Sequence, residues 1–540
     1  MNTKKYKFFA FVCVVFALTS CSDYLDTPSK SALSDKDMYS TAANVDKMLT
    51  GVYGCLKPFS TYYFIMSENR SDNFFQTVES KNNSYADCSQ FNATNLVSNS
   101  LIRDCWLNHY QLIAAANALI ARQGEASNLS DELKRQYEAE ARFLRALSYF
   151  DMVRFYGNIP VSLTVLTADE AFQLPQSEPL EVYNNAIVPD LLYAIDNLAD
   201  KAVDCNGKIH TERATKLAAK ALLGKVYMQM AGYPLRQKTK GLAQNLFKEV
   251  IDAWDFNNRW AKDINEWNRM WIHENDNKYF IFEIQYITEK DQGNPAAPLA
   301  RPGTSSDDAF CGAYLTAGSH IYMNRELQNE LTTGYDASIK DLDDIIDKRW
   351  FNSINIAQYY DEENAVYRGG NPNTDAFITK FFEHKMKRDS LGFGNMDASI
   401  IDRSYWPQNW PILRIEDIML LYAECLGPVS DGYTYLNKTR TRAGLSSLSG
   451  LSAETFQQQV VQERRKELLG EGHRWFDQVR LNTYVQDSQH KFQYHYDNIR
   501  QDENYLIYIT RVTQNSALYP IPLSQIRATG SLYKQNPGYN

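Results

Sequence analysis

The feature that most constrains what this chain can fold into is a succession of amphipathic helical stripes along most of its 540 residues. Asp35-Lys36-Asp37 reads as the cap of a segment running to Leu56, with Met38, Ala42, Val45, Met48, Leu49, Val52 and Tyr53 at helical spacing. The pattern returns over 104–122 with Trp106, Tyr110, Ile113, Ala114, Asn117 and Ile120. Ser130, followed by Asp131-Glu132, opens another helix with a stripe from Leu133 through Tyr137, Ala141, Leu144, Leu147 and Tyr149 to Val153. Gly157-Asn158-Ile159-Pro160 ends it, because glycine accepts a left-handed turn and proline cannot continue a helix. After a turn-rich 167–179 come helices at 180–199, 211–231 and 243–254, and later ones at 414–426, 431–442 and 453–470.

Antiparallel helices at this spacing predict a mainly α chain, built as a tetratricopeptide-like α-solenoid. Leu223-Gly224-x-x-Tyr227 followed by Ala243-x-x-x-Phe247 carries part of the tetratricopeptide pattern. Ala214, Leu217, Ala218, Ala221, Leu222 and Val226 leave a small-residue face on which a neighbouring helix can come close. The stretch 256–410 breaks the periodicity with Gly293-Asn294-Pro295, Arg301-Pro302-Gly303, Gly369-Gly370-Asn371-Pro372 and Gly392-Phe393-Gly394-Asn395. Only short strand-like pieces such as Tyr279 to Tyr286 lie between these turns. The organisation read from the chain is a helical scaffold over 37–255, an irregular loop-rich insert over 256–410, and a C-terminal helical region over 411–540 packed on the scaffold. Binding surfaces favour loops held by a rigid scaffold.

Residues 1–20 read as an export signal: Lys4, Lys5 and Lys7 precede an apolar run from Phe8 to Leu18 that is too short to span a bilayer. Leu18-Thr19-Ser20-Cys21 resembles the lipobox of bacterial lipoproteins, which implies lipid on Cys21, a polar tether over 21–36 and an anchor that does not cross the membrane. Loss of 1–20, with three lysines and no acid, takes the formal net charge from −9 to −12. An acidic chain without a basic cluster argues against nucleic acid as a partner. The eight cysteines show no CxxC and no spacing with histidine that would suit zinc. A disulfide is open to an exported protein, and Cys88 with Cys105 is the nearest pair.

Several segments then resemble one family, the SusD/RagB-like nutrient-binding lipoproteins of Bacteroidota. They are Glu138 to Pro160 (EAEARFLRALSYFDMVRFYGNIP), Arg213 to Tyr227 (RATKLAAKALLGKVY) and Arg414 to Glu424 (RIEDIMLLYAE). Glu463-Arg464-Arg465-Lys466-Glu467-Leu468, Glu471 to Arg480, Leu518 to Pro522 and Asn536-Pro537-Gly538-Tyr539 complete the set. Asp23 and Asp26, just after Cys21, are similar to the surface-export signal of lipoproteins in that phylum. The resemblance implies a cell-surface protein on the outer membrane that binds an oligosaccharide and passes it to a SusC-like TonB-dependent transporter. It implies no cofactor.

The residues themselves carry no GxSxG, HExxH, GxxxxGK[ST] or GxGxxG. Glu463, Arg464, Arg465, Glu467 and His473, beside Trp475 and Phe476, read as a packed polar network rather than an acid/base set. His490 and His495 read as exposed, without a third metal ligand. Sugars present apolar faces and hydroxyl edges, so sites stack rings on Trp or Tyr and surround them with Asp, Asn, Gln or Arg. In the resembled family the ligand surface comes from an early loop and the irregular insert. That points here to Asp72, Asn73 and Phe74, to Lys81 and Tyr85, and to Tyr286, Tyr314, Tyr322, Trp406 and Trp410. Trp267 and Trp271, four apart, fit a helix face against the core. Two other readings stay open: the same architecture binding peptide, and a helical-scaffold glycoside hydrolase, which needs two carboxylates facing each other across a groove.

Overall fold

The computed structural model describes residues 37–76, 83–271, 278–287, 292–296, 321–335, 344–353, 357–361, 366–369, 380 and 407–539. The signal, Cys21 and the tether lie outside them. Its helices α1 (Ala42–Gly54), α2 (Ser100–Arg122), α3 (Asp131–Tyr156), α4 (Ala168–Gln173), α5 (Val188–Asn197), α6 (Lys216–Ala231) and α7 (Lys240–Ala253) precede the irregular stretch. Within and after it come α8 (Ile264–Arg269), α9 (Arg325–Leu331), α10 (Ile415–Leu426), α11 (Ser430–Arg442) and α12 (Ala453–Glu467). The chain closes with α13 (Arg474–Leu481), α14 (Tyr484–Asn498), α15 (Glu503–Arg511) and α16 (Leu523–Ala528).

Helix ends follow local chemistry. Ser130 caps α3 by accepting the Leu133 amide, and Gly157 ends it at φ +71°, where an added Cβ would meet the Leu518 side chain at 2.7 Å. The helix expected over 180–199 is present as a helical turn Pro179–Val182, a π-helical turn Tyr183–Ile187 and then α5, while two other starts differ from the sequence expectation. Helix α1 begins at Ala42 because Thr41, in extended conformation, accepts the Asn44 amide; Asp37 uses its backbone carbonyl to take the Ser40 hydroxyl and the Asn44 side chain. Helix α6 begins at Lys216, because 202–203 and 209–210 pair as a hairpin around a turn in which Asp204 accepts the Asn206 and Lys208 amides. The turn-rich 167–179 holds the short helix α4, closed by a Thr167–Glu170 capping box.

The helices stack in series: α2 on α3, α3 on α5, α5 on α6, α6 on α7, then α7 on α10 and α10 on α11. This is a mainly helical, tetratricopeptide-like scaffold. The α6–α7 contact is close, because Gly224 lies against the Phe247 ring. Strands are few and short among the described residues. β1 (Phe74–Gln76), β2 (Phe280–Ile284), β3 (Ile321–Met323) and β4 (Trp410–Arg414) form two antiparallel ladders, β1 with β3 and β2 with β4. Every residue of β2 and β4 is buried, which explains why 280–284 carries apolar residues on both faces rather than in alternation; its one charged residue, Glu283, accepts from the Asn409 and Gln285 side chains. Trp267 and Trp271 are both buried, edge to face at 5.9 Å. Cys88 and Cys105 are free, buried thiols and do not form the disulfide that was open to them.

Candidate functional site

A buried ionic hub positions the site. On α12 and just beyond it, Glu463, Glu467 and Glu471 take Arg349 (2.7 Å to Glu463), Arg414 (2.7 Å to Glu471) and Lys380 (2.8 Å to Glu471). Glu467 also accepts the Trp267 indole at 3.0 Å and Arg442 at 2.6 Å. The cations beside it hold its carboxyl far below the usual range, against the opposing effect of burial. Such pairs avoid an uncompensated buried charge only when their remaining hydrogen bonds are made. The charged 463–471 run therefore ties the irregular stretch to the helical scaffold. Its carboxylates face guanidinium and ammonium groups and are closed to solvent.

The same C-terminal segment clamps the early loop. Arg474 takes Asp72 in a two-pronged pair at 2.7 and 2.9 Å, and Arg465 adds Asp72 at 3.1 Å and the Asn73 side chain at 2.8 Å. Burial alone would raise the Asp72 pKa, but the two arginines hold it well below the usual carboxylate range. Glu68 accepts the amides of Gly472 and His473 at the start of α13. From α14, the Lys491 ammonium donates to the carbonyls of Ser71 and Phe74 at 2.6 and 2.9 Å; burial lowers its pKa to about 7. So fixed, the loop runs into β1, whose ladder pairs Phe75 with Tyr322 and Phe74 with Met323.

Several residues expected at a ligand surface are interior. Asp72 and Asn73 are buried in the clamp, and Phe74 packs on Phe64. Tyr286 is buried with its hydroxyl on the Lys57 carbonyl and the Ser60 hydroxyl. Trp410 is fully buried and stacked on Tyr63, so neither of its faces is open to a sugar. In the structure these five are interior, packed or hydrogen-bonded within the fold. Lys81, Tyr314 and Trp406 lie outside the described residues. Tyr85 and Tyr322 are half-buried.

Around Tyr322 the fold assembles a rim that the sequence reading missed. Tyr322 lies 5.9 Å from the Phe75 ring, which lies 4.1 Å from His495. His495 is buried, correcting its expected exposure: it continues the inward stripe Tyr484, Ser488, Lys491, Phe492 of α14. Burial lowers its pKa to about 3. The other face of α14 carries exposed His490, 3.0 Å from Glu326, and Tyr494, whose hydroxyl accepts from the Asn329 amide at 3.4 Å. His490 and Tyr494 stand four residues apart, so α14 carries both on one side, but the inward stripe of this helix is largely polar and gave no sequence signal of which side faces out. Tyrosine hydroxyls, an amide and one carboxylate are groups that suit hydrogen-bonded, ring-stacked ligands. Among the described residues no group of three or more His, Cys, Asp or Glu could hold a metal ion.

One buried trio resembles nucleophilic machinery and lacks its properties. Cys105 Sγ lies 3.6 Å from His109 Nδ1, and His109 Nε2 lies 3.6 Å from Asp151. But Nδ1 is taken by the Cys105 carbonyl at 2.8 Å, burial drives the thiol pKa well up, and all three side chains are closed to solvent.

The fold is a helical-repeat scaffold to which the early loop and the irregular stretch are tied by buried ion pairs. Two family models cover most of the chain: one described as the SusD family over residues 280–539, the other as "starch-binding associating with outer membrane" over 23–228. The SusD-like protein P25 of Formosa agariphila is 24% identical over 534 residues, covering 91% of this chain and 93% of its own. A solved SusD homolog from Bacteroides thetaiotaomicron superposes with a TM-score of 0.75 at 23% identity, over 93% of this chain and 98% of that one. A laminarin-binding SusD-like protein superposes at 0.70 and 23% identity, over 93% of this chain and all (100%) of that one. The chain belongs to the SusD/RagB-like family.

Proposed function

We infer that this protein is a cell-surface binding protein for an oligosaccharide, held on the outer membrane through lipid on Cys21. It delivers its ligand to a SusC-like TonB-dependent transporter. The observation that carries the reading is the β1–β3 ladder, which joins the early loop to the irregular stretch and carries Tyr322, with His495 of α14 between Phe75 and Tyr494. The laminarin-binding neighbour and the starch-binding description of the N-terminal family model support a glycan over a peptide. The role is capture without chemistry, a reading supported by the acidic 463–471 run being locked in buried ion pairs.

Calorimetry on protein lacking residues 1–21 tests the ligand class, with plant, host and microbial glycans set against a peptide panel. A capture protein that must release its cargo binds in the micromolar to millimolar range, about −4 to −8 kcal/mol. At least one glycan is expected to bind there and to be recovered intact. Binding of peptides and of no glycan would move the reading to the peptide branch, and product sugars scaling with protein concentration would favour a hydrolase. For the anchor, Cys21→Ser should lose palmitate labelling, since only the thiol accepts the diacylglyceryl group; label on the serine variant would refute the lipid site.

A further inference from the structure

Away from the β1–β3 rim, a cavity of about 280 Å³ opens between α2, the 160–174 segment with α4, and the C-terminal turn that carries α16. None of its lining residues belongs to the rim described above. Trp106, Tyr110 and Tyr533 form one wall, with ring centroids 5.1 and 6.2 Å from that of Trp106, and Phe172 of α4 closes the opposite side. At the mouth, Leu107, Val165 and Phe172 are exposed by 45%, 57% and 48%, an unusual density of large apolar groups in one place.

The polar groups of this cavity divide into two sets. Asn117 is fully engaged, its amide donating to the carbonyls of Ser162 and Thr164 and its oxygen accepting from Arg145. Tyr110 donates to the Pro160 carbonyl, and the Ser162 hydroxyl donates to the Thr164 carbonyl. The Thr529 hydroxyl donates to the Gln525 carbonyl, whereas the Gln525 side-chain amide, the Tyr533 hydroxyl and the exposed Thr164 hydroxyl have no hydrogen-bond partner among the described residues. A sugar ring would bring many hydroxyls to a largely apolar wall whose inner handles are Gln525 and Tyr533, the Thr164 hydroxyl lying exposed, and each unmatched one is costly to bury. A flat aromatic ring with a single polar substituent matches the walls and the handles together. The volume suffices, since an apolar cavity of about 150 Å³ already takes benzene.

We propose that this aromatic-walled cavity between α2 and α16 is a second binding site, for a small phenolic ligand whose ring packs on Trp106, Tyr110 and Phe172 and whose hydroxyl bonds to Gln525 and Tyr533. The site does not depend on the glycan reading. Ligand-observed saturation-transfer NMR and calorimetry with 4-ethylphenol test it, with ethylbenzene, octanoate and methyl glucoside as comparators. The protein should bind 4-ethylphenol saturably with a dissociation constant below about 1 mM, and ethylbenzene at least fivefold more weakly. Ala114→Trp, at an exposed position of α2 that lines the cavity, should fill it and weaken phenol binding by roughly tenfold or more while the melting temperature holds. Tyr533→Phe combined with Gln525→Leu should erase the preference for phenol over ethylbenzene, and this variant decides the matter should Ala114→Trp not fold. No saturable phenol binding, tighter binding of octanoate or methyl glucoside, or a phenol preference that survives the double variant would overturn the proposal.

Discussion

Glu140 shows how one buried carboxyl sets the pH response of the scaffold. Burial raises its pKa to about 7, against the help of nearby Arg213 and of hydrogen bonds from Gln136 and from Tyr53 at 2.7 Å. A raised pKa means that the folded state holds this proton more tightly than the unfolded one. The stabilisation is complete below about pH 4.5 and is lost as pH rises through about 7. Glu140→Gln cannot ionise, so it should lose less stability than the parent between pH 5 and 8, a gap on the order of 1–3 kcal/mol at the upper end. Thermal melts across that range check it; parallel curves for the two proteins would show that Glu140 is not the group that titrates. At this scale the sequence was readable where chemistry is local, as with Ser130 as a cap. It was unreadable where burial decides, as with His495 and Trp410: nothing in a polar stretch says which histidine turns inward, and a tryptophan at a strand end serves a core as well as a surface.

Among the elements, the helices were legible because each carries its own apolar stripe, and α2, α3, α7, α10 and α11 lie within a few residues of expectation. The starts of α1 and α6 moved, because nearby Thr41 and the 202–210 hairpin compete for the same backbone groups. The α6–α7 contact depends on a missing side chain: a Cβ on Gly224 would lie 2.5 Å from the Phe247 ring. Gly224→Val should therefore destabilise the scaffold by about 1–3 kcal/mol through overpacking, more than the change in helix propensity accounts for. Chemical denaturation measures it, and Phe247→Ala in the same chain should recover part of the loss; a neutral Gly224→Val would mean that these helices pack farther apart. The rim could not be assembled from the sequence, since Asn329 and Tyr494 lie 165 residues apart and meet only in the fold, and Tyr322 reaches Phe75 only through the β1–β3 ladder.

Across the whole molecule, two clamps built on one short C-terminal segment bring the early loop and the irregular stretch to the scaffold. Glu467→Gln would leave Arg349, Arg414 and Arg442 short of one buried negative charge. It should cost about 3–5 kcal/mol and open the 256–410 stretch to limited proteolysis before the helices unfold. Unchanged proteolysis would show that the stretch is held by packing alone. The architecture and its family were legible in the order of motifs from Glu138 to Tyr539, whereas of the proposed binding edge only Tyr322 was, because Asn329 and Tyr494 belong to no motif. The central claim is that this edge, and not the buried Trp410, contacts the ligand. Calorimetry of the best-binding glycan with Tyr322→Ala and Tyr494→Ala tests it directly. The account predicts that at least one of them loses about 1–3 kcal/mol of binding with its melting temperature unchanged, while Trp410→Ala loses fold stability first. Full-strength glycan binding by both tyrosine variants would place the site elsewhere.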